Sequence, residues 1–361
     1  MKHLLTTIPT RNEVVGFLKH VRFVIKSPLL VLRIANGFWR THFYKESVLR
    51  SVELAITFRC QATCAFCYSE SLVDQKRQPL SLEEIREVWR QCLKAGAIHV
   101  NLTGGEPMIR KDWPEIIAAC TPHKAIVSMV TNGDLLTEEN VKRAKRAGLT
   151  YLQVSLDSAN PIEHDRSRGI KGLFGRAVRG IELAKKYGIT VSLSCVVTNE
   201  NAPTREIWDL IELAKKLNVF LLLNLAAMAG RWQSNRAAVL TPKTRGLVQE
   251  FRKDSHVRQN VMYNFRMREG CPAATEKIYI TAYGDVTPCP LTHVSYGNIR
   301  KTPLAEILKR MRAVKDYSSF PVKCLRCEDQ SYYQRVISPL AEMFDKGVQM
   351  PVAVEDHPLL R

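Results

Sequence analysis

Cys60-Gln61-Ala62-Thr63-Cys64-Ala65-Phe66-Cys67 follows the apolar run Leu54-Ala55-Ile56. Three cysteines within eight positions at a strand's end can turn their sulfurs onto one point. Thiolates select zinc or iron–sulfur clusters over hard cations. A cubane cluster has four irons and normally takes four cysteines, so a group of three leaves one iron open to another molecule. A zinc site here would want its fourth ligand nearby, in a CxxC…CxxC or CxxC…HxxxH spacing. The next cysteine is Cys92, inside a helical pattern, and no histidine follows before His99. The spacing favours a cluster with three protein ligands.

At these residues the chain resembles the radical S-adenosylmethionine (SAM) family, whose signature is CxxxCxxC with an aromatic residue before the last cysteine. Cys60, Cys64, Cys67 and Phe66 match it. A second family motif, GGEP, stands at Gly104-Gly105-Glu106-Pro107, after the second strand. The resemblance covers roughly residues 50–330. It implies a [4Fe–4S] cluster whose open iron is chelated by the amino and carboxylate groups of SAM. Reduction, by a partner such as flavodoxin or ferredoxin, then yields methionine and a 5′-deoxyadenosyl radical that abstracts hydrogen from a substrate.

With 361 residues and 45% hydrophobic content, the chain can bury one large core and a smaller domain. No run of 18 apolar residues predicts a membrane span, and the start, Met1-Lys2-His3-Leu4-Leu5, does not read as a signal peptide. Ten cysteines without an export signal argue for reduced, metal-bound thiols and a cytoplasmic protein. The net charge is +18. Residues 1–50 carry nine Lys and Arg against Glu13 and Glu46, a local excess of +7. Such a surface attracts anions; phosphates and acidic lipid fit this chain, and nucleic acid is not expected.

Four regions are expected: a basic helical extension over 1–50, a barrel over 51–255, a small cluster domain over 256–331, and a helix and tail over 332–361. Asn12 to Val24 reads as a basic amphipathic helix, and Pro28 opens an apolar one ending near Gly37-Phe38-Trp39. These helices can lie in an anionic membrane interface, cover an open edge of the barrel, or pair with a second copy of the chain. From residue 52 a strand–helix alternation repeats six times, the pattern of a parallel α/β sheet. Strands are expected at 52–58, 98–103, 125–131, 151–157, 190–198 and 219–226, with helices at 81–95, 112–120, 137–147, 174–187, 203–217 and 242–254. Ser81 with Glu84 and Thr137 with Asn140 mark helix starts; Gly96, Gly148 and Gly188 mark ends. The fold class is α/β, a partial (β/α)6 TIM-like barrel with a small C-terminal auxiliary-cluster domain, which is also the fold the resemblance implies.

Side chains alternate faces along a strand, and one face of each strand is polar: Glu53/Thr57, Asn101/Thr103, Ser128/Asn132, Gln153/Ser155/Asp157, Ser192/Ser194 and Asn224. A closed barrel fills its interior with apolar residues. A polar interior predicts a wide lumen occupied by SAM and substrate. The resemblance implies that Gly104, Gly105 and Glu106 serve the SAM amino group and that Phe66 packs near adenine. It further implies that Ser155 and Asp157 contact SAM or substrate, and that Arg168 pairs with the SAM carboxylate. Asn132 points inward at the same level. Gly104 and Gly105, lacking Cβ atoms, are expected to let the backbone approach a ligand.

Beyond residue 255 the alternation stops. Cys271, Cys289, Cys324 and Cys327 remain, with a hairpin expected from Lys277 to Cys289. Four cysteines can fully ligate one auxiliary [4Fe–4S] cluster; four thiolates also fit a structural zinc. The segment resembles the twitch domain, the short form of the SPASM domain. Cys92 and Cys120 read as core, and strand parity puts Cys195 behind the barrel wall. The resulting reading is a radical SAM enzyme acting on a small or amphiphilic substrate, with the auxiliary cluster serving electron transfer. A peptide-modifying enzyme is the first alternative. Two alternatives belong to other classes: an electron-transfer iron–sulfur protein would not need Gly104 to Pro107 or a polar lumen, and a zinc-stabilised binding protein would need neither the three-cysteine group nor Phe66.

Overall fold

The computed structural model describes residues 27–120, 125–259, 265–266 and 270–360, so the helix expected over Asn12 to Val24 lies outside the described residues. Helix α1 (Pro28–His42) precedes β1 (Ser51–Thr57). The expected alternation then runs α2 (Leu82–Lys94), β2 (His99–Gly104), α3 (Trp113–Cys120), β3 (Ile126–Thr131) and α4 (Glu138–Ala147). It continues through β4 (Tyr151–Ser155), α5 (Pro161–Arg168), α6 (Leu173–Lys186) and β5 (Thr190–Val197). The last units are α7 (Glu206–Leu217), β6 (Phe220–Leu225) and α8 (Pro242–Phe251).

Local chemistry explains the helix ends. Ser81 Oγ accepts from Glu84 N (3.1 Å), and Glu84 Oε2 accepts from Ser81 N (2.7 Å), a reciprocal cap on α2. Thr137 caps α4 at Asn140 N, and Gly148 ends that helix in the left-handed region at φ 99°. Helix α5 is the one the sequence does not announce. Its eight residues carry no apolar stripe, and it starts because the Asn160 side chain caps Ile162 N at 2.9 Å.

Strands β1 to β6 pair in parallel in chain order, and the sheet grows at both edges. β7 (Val257–Gln259) adds in parallel beyond β6. β8 (Lys277–Ile280) pairs in parallel with β1, and β9 (Val286–Thr287) closes the expected hairpin antiparallel to β8. The segment carrying the second cysteine set is thereby joined to the first barrel strand, where Lys277 Nζ meets Glu53 Oε1 at 2.5 Å.

The two faces of the sheet divide as parity requires. Leu54, Leu102, Met129 and Leu152 lie in register across four strands and are 1% exposed or less. Cys92, Cys120 and Cys195 belong to the same core. On the inner face Glu53, Asn101 and Ser128 share a row, and Gln153 stands beside Ser192. Part of this polar wall satisfies itself: His99 bonds Ser51 Oγ (2.8 Å) and Ser128 Oγ (2.7 Å), and Asn224 donates to Ser194 Oγ (2.7 Å). The polarity of these positions therefore does not by itself demand a ligand, which narrows the sequence argument to the rim.

Helix α1 covers the floor, at the N-terminal ends of the strands. Leu30 packs with Val48, Ile98 and Phe265, and Arg33 Nη2 donates to Leu93 O and Ala97 O, both at 2.7 Å. Its other side is apolar and bare: Leu29, Leu32 and Trp39, with Phe43 just beyond, are 50%, 65%, 53% and 66% exposed.

Candidate functional site

Thr57 ends β1, and the cysteine loop begins three residues later. The end of β2 fixes its course. Gly105 N donates to Thr57 O (2.8 Å) and Glu106 N to Arg59 O (2.9 Å). A Cβ on Gly104 would lie 1.9 Å from Thr57 O, and one on Gly105 would lie 2.3 Å from Arg59 O. The space kept clear by these glycines thus belongs to the strand entering Cys60, not to a ligand. This corrects the reason read from sequence for the glycines.

Glu106 is fully buried and gathers the neighbouring strand. Its carboxylate accepts from Thr131 Oγ1 (2.9 Å), Asn132 N (2.8 Å) and Met108 N (3.2 Å). Burial outweighs these bonds and pushes the carboxyl up to about 7 from its ordinary 4.5. Between those values the folded chain binds the extra proton, so stability falls as pH rises from about 4.5 to about 7 and then levels. The expected loss is on the order of 3 kcal/mol. Comparing urea midpoints at pH 5 and pH 8, Glu106→Gln is expected to flatten most of the wild-type decline; an equal decline in both would refute the assignment.

The sulfurs face donors. Cys60 Sγ takes Ala62 N at 3.4 Å and Asn132 Nδ2 at 4.0 Å, and Cys67 Sγ meets Ser69 Oγ at 3.4 Å. Burial pushes the Cys60 thiol up to about 11 and raises that of Cys64. Burial keeps the Cys60 and Cys64 thiols protonated unless a cation is near, and with Cys67 they match the donor set of a three-cysteine cluster. Among the described residues no three His, Cys, Asp or Glu side chains converge on the position of one ion. A cubane does not require it, because its thiolates go to separate irons.

Asp157 and Arg168, which sequence reasoning directed separately at ligands, are joined to each other. Arg168 Nε donates to Asp157 Oδ2 at 2.6 Å and Nη2 lies 2.5 Å from the same oxygen, with both residues 8% exposed. The guanidinium lies 5.3 Å from the centre of the Phe66 ring, and Arg168 O accepts from Thr63 N at 3.0 Å. The pair holds the middle of the cysteine loop. Ser155 stands half-buried at the end of β4, and Phe66 is half-buried, 5.8 Å from the Trp232 ring.

The residue that sequence reasoning missed is Gly230, after β6. Its φ is 61°, and a Cβ there would lie 1.9 Å from Cys67 O. Arg231 N donates to that same oxygen at 3.0 Å, and Arg231 Nη1 to Thr63 O at 3.2 Å. A glycine four residues behind the end of the last expected strand was the available signal. Gly230→Ala must displace the Cys67 backbone, and misplacement by about 1 Å can cost about a hundredfold in rate. SAM cleavage is expected to fall by about that factor, with iron lost from this site alone; unchanged iron and cleavage would show that the loop tolerates the shift.

The second cysteine set also assembles. The Cys271 thiol hydrogen-bonds with the Cys324 sulfur, which together with burial raises it well above the ordinary thiol range. Burial likewise raises Cys289, whose Sγ donates to Thr292 Oγ1 at 3.4 Å. Cys324 N donates to Glu328 Oε2 (2.9 Å) at the start of the turn Leu325–Glu328 that leads to Cys327. Arg326 lies buried among these sulfurs, and among the described residues none of its three guanidinium nitrogens has a hydrogen-bond partner. An unpaired buried cation fits an anionic, thiolate-ligated group between the four cysteines.

Known proteins agree with this geometry. Residues 54–221 match the Radical SAM superfamily and residues 271–328 the SPASM iron–sulfur cluster-binding domain. The AdoMet-dependent heme synthase of Nitratidesulfovibrio vulgaris is 26% identical over 76% of this chain and 83% of its own. The PqqA peptide cyclase of Rhizobium meliloti is 26% identical over 76% of this chain and 78% of its own. In fold, SuiB of Streptococcus suis bound to precursor peptide SuiA superposes with a TM-score of 0.58 at 16% identity, covering 85% of this chain and 70% of SuiB. Domain matches, barrel and paired cysteine sets lead to one conclusion: the chain is a radical SAM superfamily enzyme, using SAM and a [4Fe–4S] cluster, with a C-terminal SPASM-type iron–sulfur region.

Proposed function

We propose that the enzyme abstracts hydrogen from a small or amphiphilic molecule held in the lumen. Cys60, Cys64 and Cys67 hold the SAM-binding [4Fe–4S] cluster; Cys271, Cys289, Cys324 and Cys327 hold one auxiliary [4Fe–4S] cluster that serves electron transfer. When bound and reduced, for instance by a flavodoxin or ferredoxin, the first cluster and SAM supply a 5′-deoxyadenosyl radical. The chain's residues position and shield. Glu106 and Asn132 set the wall beside Cys60, Gly104 and Gly105 seat the loop on β1, and Phe66 and Ser155 border the SAM pocket. Asp157 acts here through Arg168, which steadies the loop around Cys64.

The observation that carries the electron-transfer role is proximity. Arg326 and Cys327 line a small cavity together with Ala226, Ala227 and Met228, at the end of β6. The second cysteine set thus abuts the barrel rim, where a substrate radical would form. A small substrate is supported by the heme synthase relatives; the peptide cyclase keeps a peptide substrate as the alternative. A deuterium experiment separates them. Cells grown in heavy water are split into a dialysable small-molecule fraction and a peptide fraction, and each is incubated anaerobically with enzyme, SAM and dithionite. Deuterium is expected in 5′-deoxyadenosine from the first fraction; label from the peptide fraction alone would overturn the reading.

A second reading concerns location, and the bare side of α1 favours it. Leu29, Leu32, Trp39 and Phe43 on a segment with a +7 excess fit a peripheral, cytoplasmic contact with an anionic membrane. Among the described residues no helix is long and apolar enough to cross one. Truncating residues 1–40 would strip Leu30 and Arg33 from the barrel floor, so surface substitutions make the cleaner test. Leu32→Glu with Trp39→Glu should abolish cosedimentation with acidic vesicles at low salt and leave the circular dichroism unchanged. Indifference of the intact protein to such vesicles would leave α1 as a floor cover.

A further inference from the structure

Among the described residues the other deeply buried arginines have carboxylates: Arg168 pairs with Asp157 and Arg50 with Glu276. Arg326, 6% exposed, has none of its nitrogens hydrogen-bonded among the described residues. The cavity it borders is walled largely by Ala226, Met228, Val239 and Ile337. The imidazole of His293 gives no relief, since its two ring nitrogens are engaged by Ser71 Oγ (3.2 Å) and Pro290 O (3.0 Å). A guanidinium keeps its proton, and burial without a partner is strongly unfavourable. The opposite charge facing Arg326 is that of Cys324, Cys327 and Cys289 once they are thiolates.

We propose that Arg326 is the charge partner of the auxiliary cluster, donating N–H groups to its sulfurs and raising its reduction potential. The inference rests on reading Cys271, Cys289, Cys324 and Cys327 as cluster ligands. Four thiolates around a cubane leave a net negative charge, which grows by one on reduction. A fixed cation at the sulfurs therefore favours the reduced form, and hydrogen bonds to sulfur act in the same direction. For a cluster that takes an electron from substrate, this is the useful sign. Arg326 acts through the cluster and not on the substrate.

The test uses the full-length chain with Cys60, Cys64 and Cys67 replaced by alanine, so that the auxiliary cluster alone reports in an EPR-monitored redox titration. Iron and zinc analysis of this parent comes first. Zinc without iron would overturn the cluster reading, and this inference with it. With the cluster present, Arg326→Met is expected to lower the reduced-to-oxidised ratio at fixed potential by about tenfold or more, about 59 mV for a one-electron couple. Arg326→Lys, which keeps the charge, should stay within about threefold. If Arg326→Met retains iron and titrates within about twofold of the parent, the inference falls. If Arg326→Met cannot retain iron, Arg326→Lys must do so; equal loss from both would show that shape, not charge, is what the site needs.

Discussion

Alanine at Cys60, Cys64 or Cys67 is expected to bring 5′-deoxyadenosine formation to the detection limit under anaerobic, reducing conditions. The expectation follows from ligand count. This site has three thiolates to offer, and each has a neighbour that places it: Ala62 N and Asn132 Nδ2 at Cys60 Sγ, Arg168 beside the Cys64 thiol, and Arg231 N with Gly230 at Cys67 O. Removing one leaves two, too few to keep a cubane with one iron open. Cys92→Ala and Cys195→Ala serve as controls, because both thiols are buried in the core behind the wall, and they should leave cleavage intact. Undiminished SAM cleavage in a Cys60, Cys64 or Cys67 variant would remove this loop from the cofactor site.

The second large effect divides the two cysteine sets. Intact protein is expected to carry roughly eight irons, four per cubane. Replacing Cys324 and Cys327 with alanine should remove about half, since two remaining thiolates cannot retain the auxiliary cluster. SAM cleavage uncoupled from substrate should survive, because the loop around Cys60 is held by β2, Arg168 and Gly230 rather than by the C-terminal region. Product formation should be lost. A double variant that keeps all its iron, or that turns substrate over at the original rate, would make the second set dispensable.

What could be read in the sequence was what is local. The cysteine spacing, the six-fold alternation, the Ser81–Glu84 cap and the parity of Cys195 each depend on residues close along the chain, where 2.0 and 3.6 periodicities act. Reading failed wherever the reason for a residue lay far away in sequence. Gly104 and Gly105 look like a ligand cradle until Thr57 O and Arg59 O are found beside them. Asp157 and Arg168 look like two ligand contacts until they are seen bonded to each other. Helix α5 had no apolar stripe to announce it, since the cap at Asn160 and the task of delivering Arg168 define it. β7 is three residues long, too short for a period, and owes its strand form to the open edge of β6; the hairpin carrying β8 was legible, but its pairing with β1 was not.

The hold of Gly230 and Arg231 on Cys67 has a bearing on the order of assembly. The cysteine loop lies near the beginning of the barrel, yet Arg168 closes it from the fourth strand–helix connection and Gly230 from beyond β6. Closing such loops costs chain entropy before any contact repays it, so they form late. A chain still emerging from the ribosome presents Cys60, Cys64 and Cys67 long before the parts that shape their cradle exist. Iron is therefore expected to stay at this site only once the barrel is wound to its last strand.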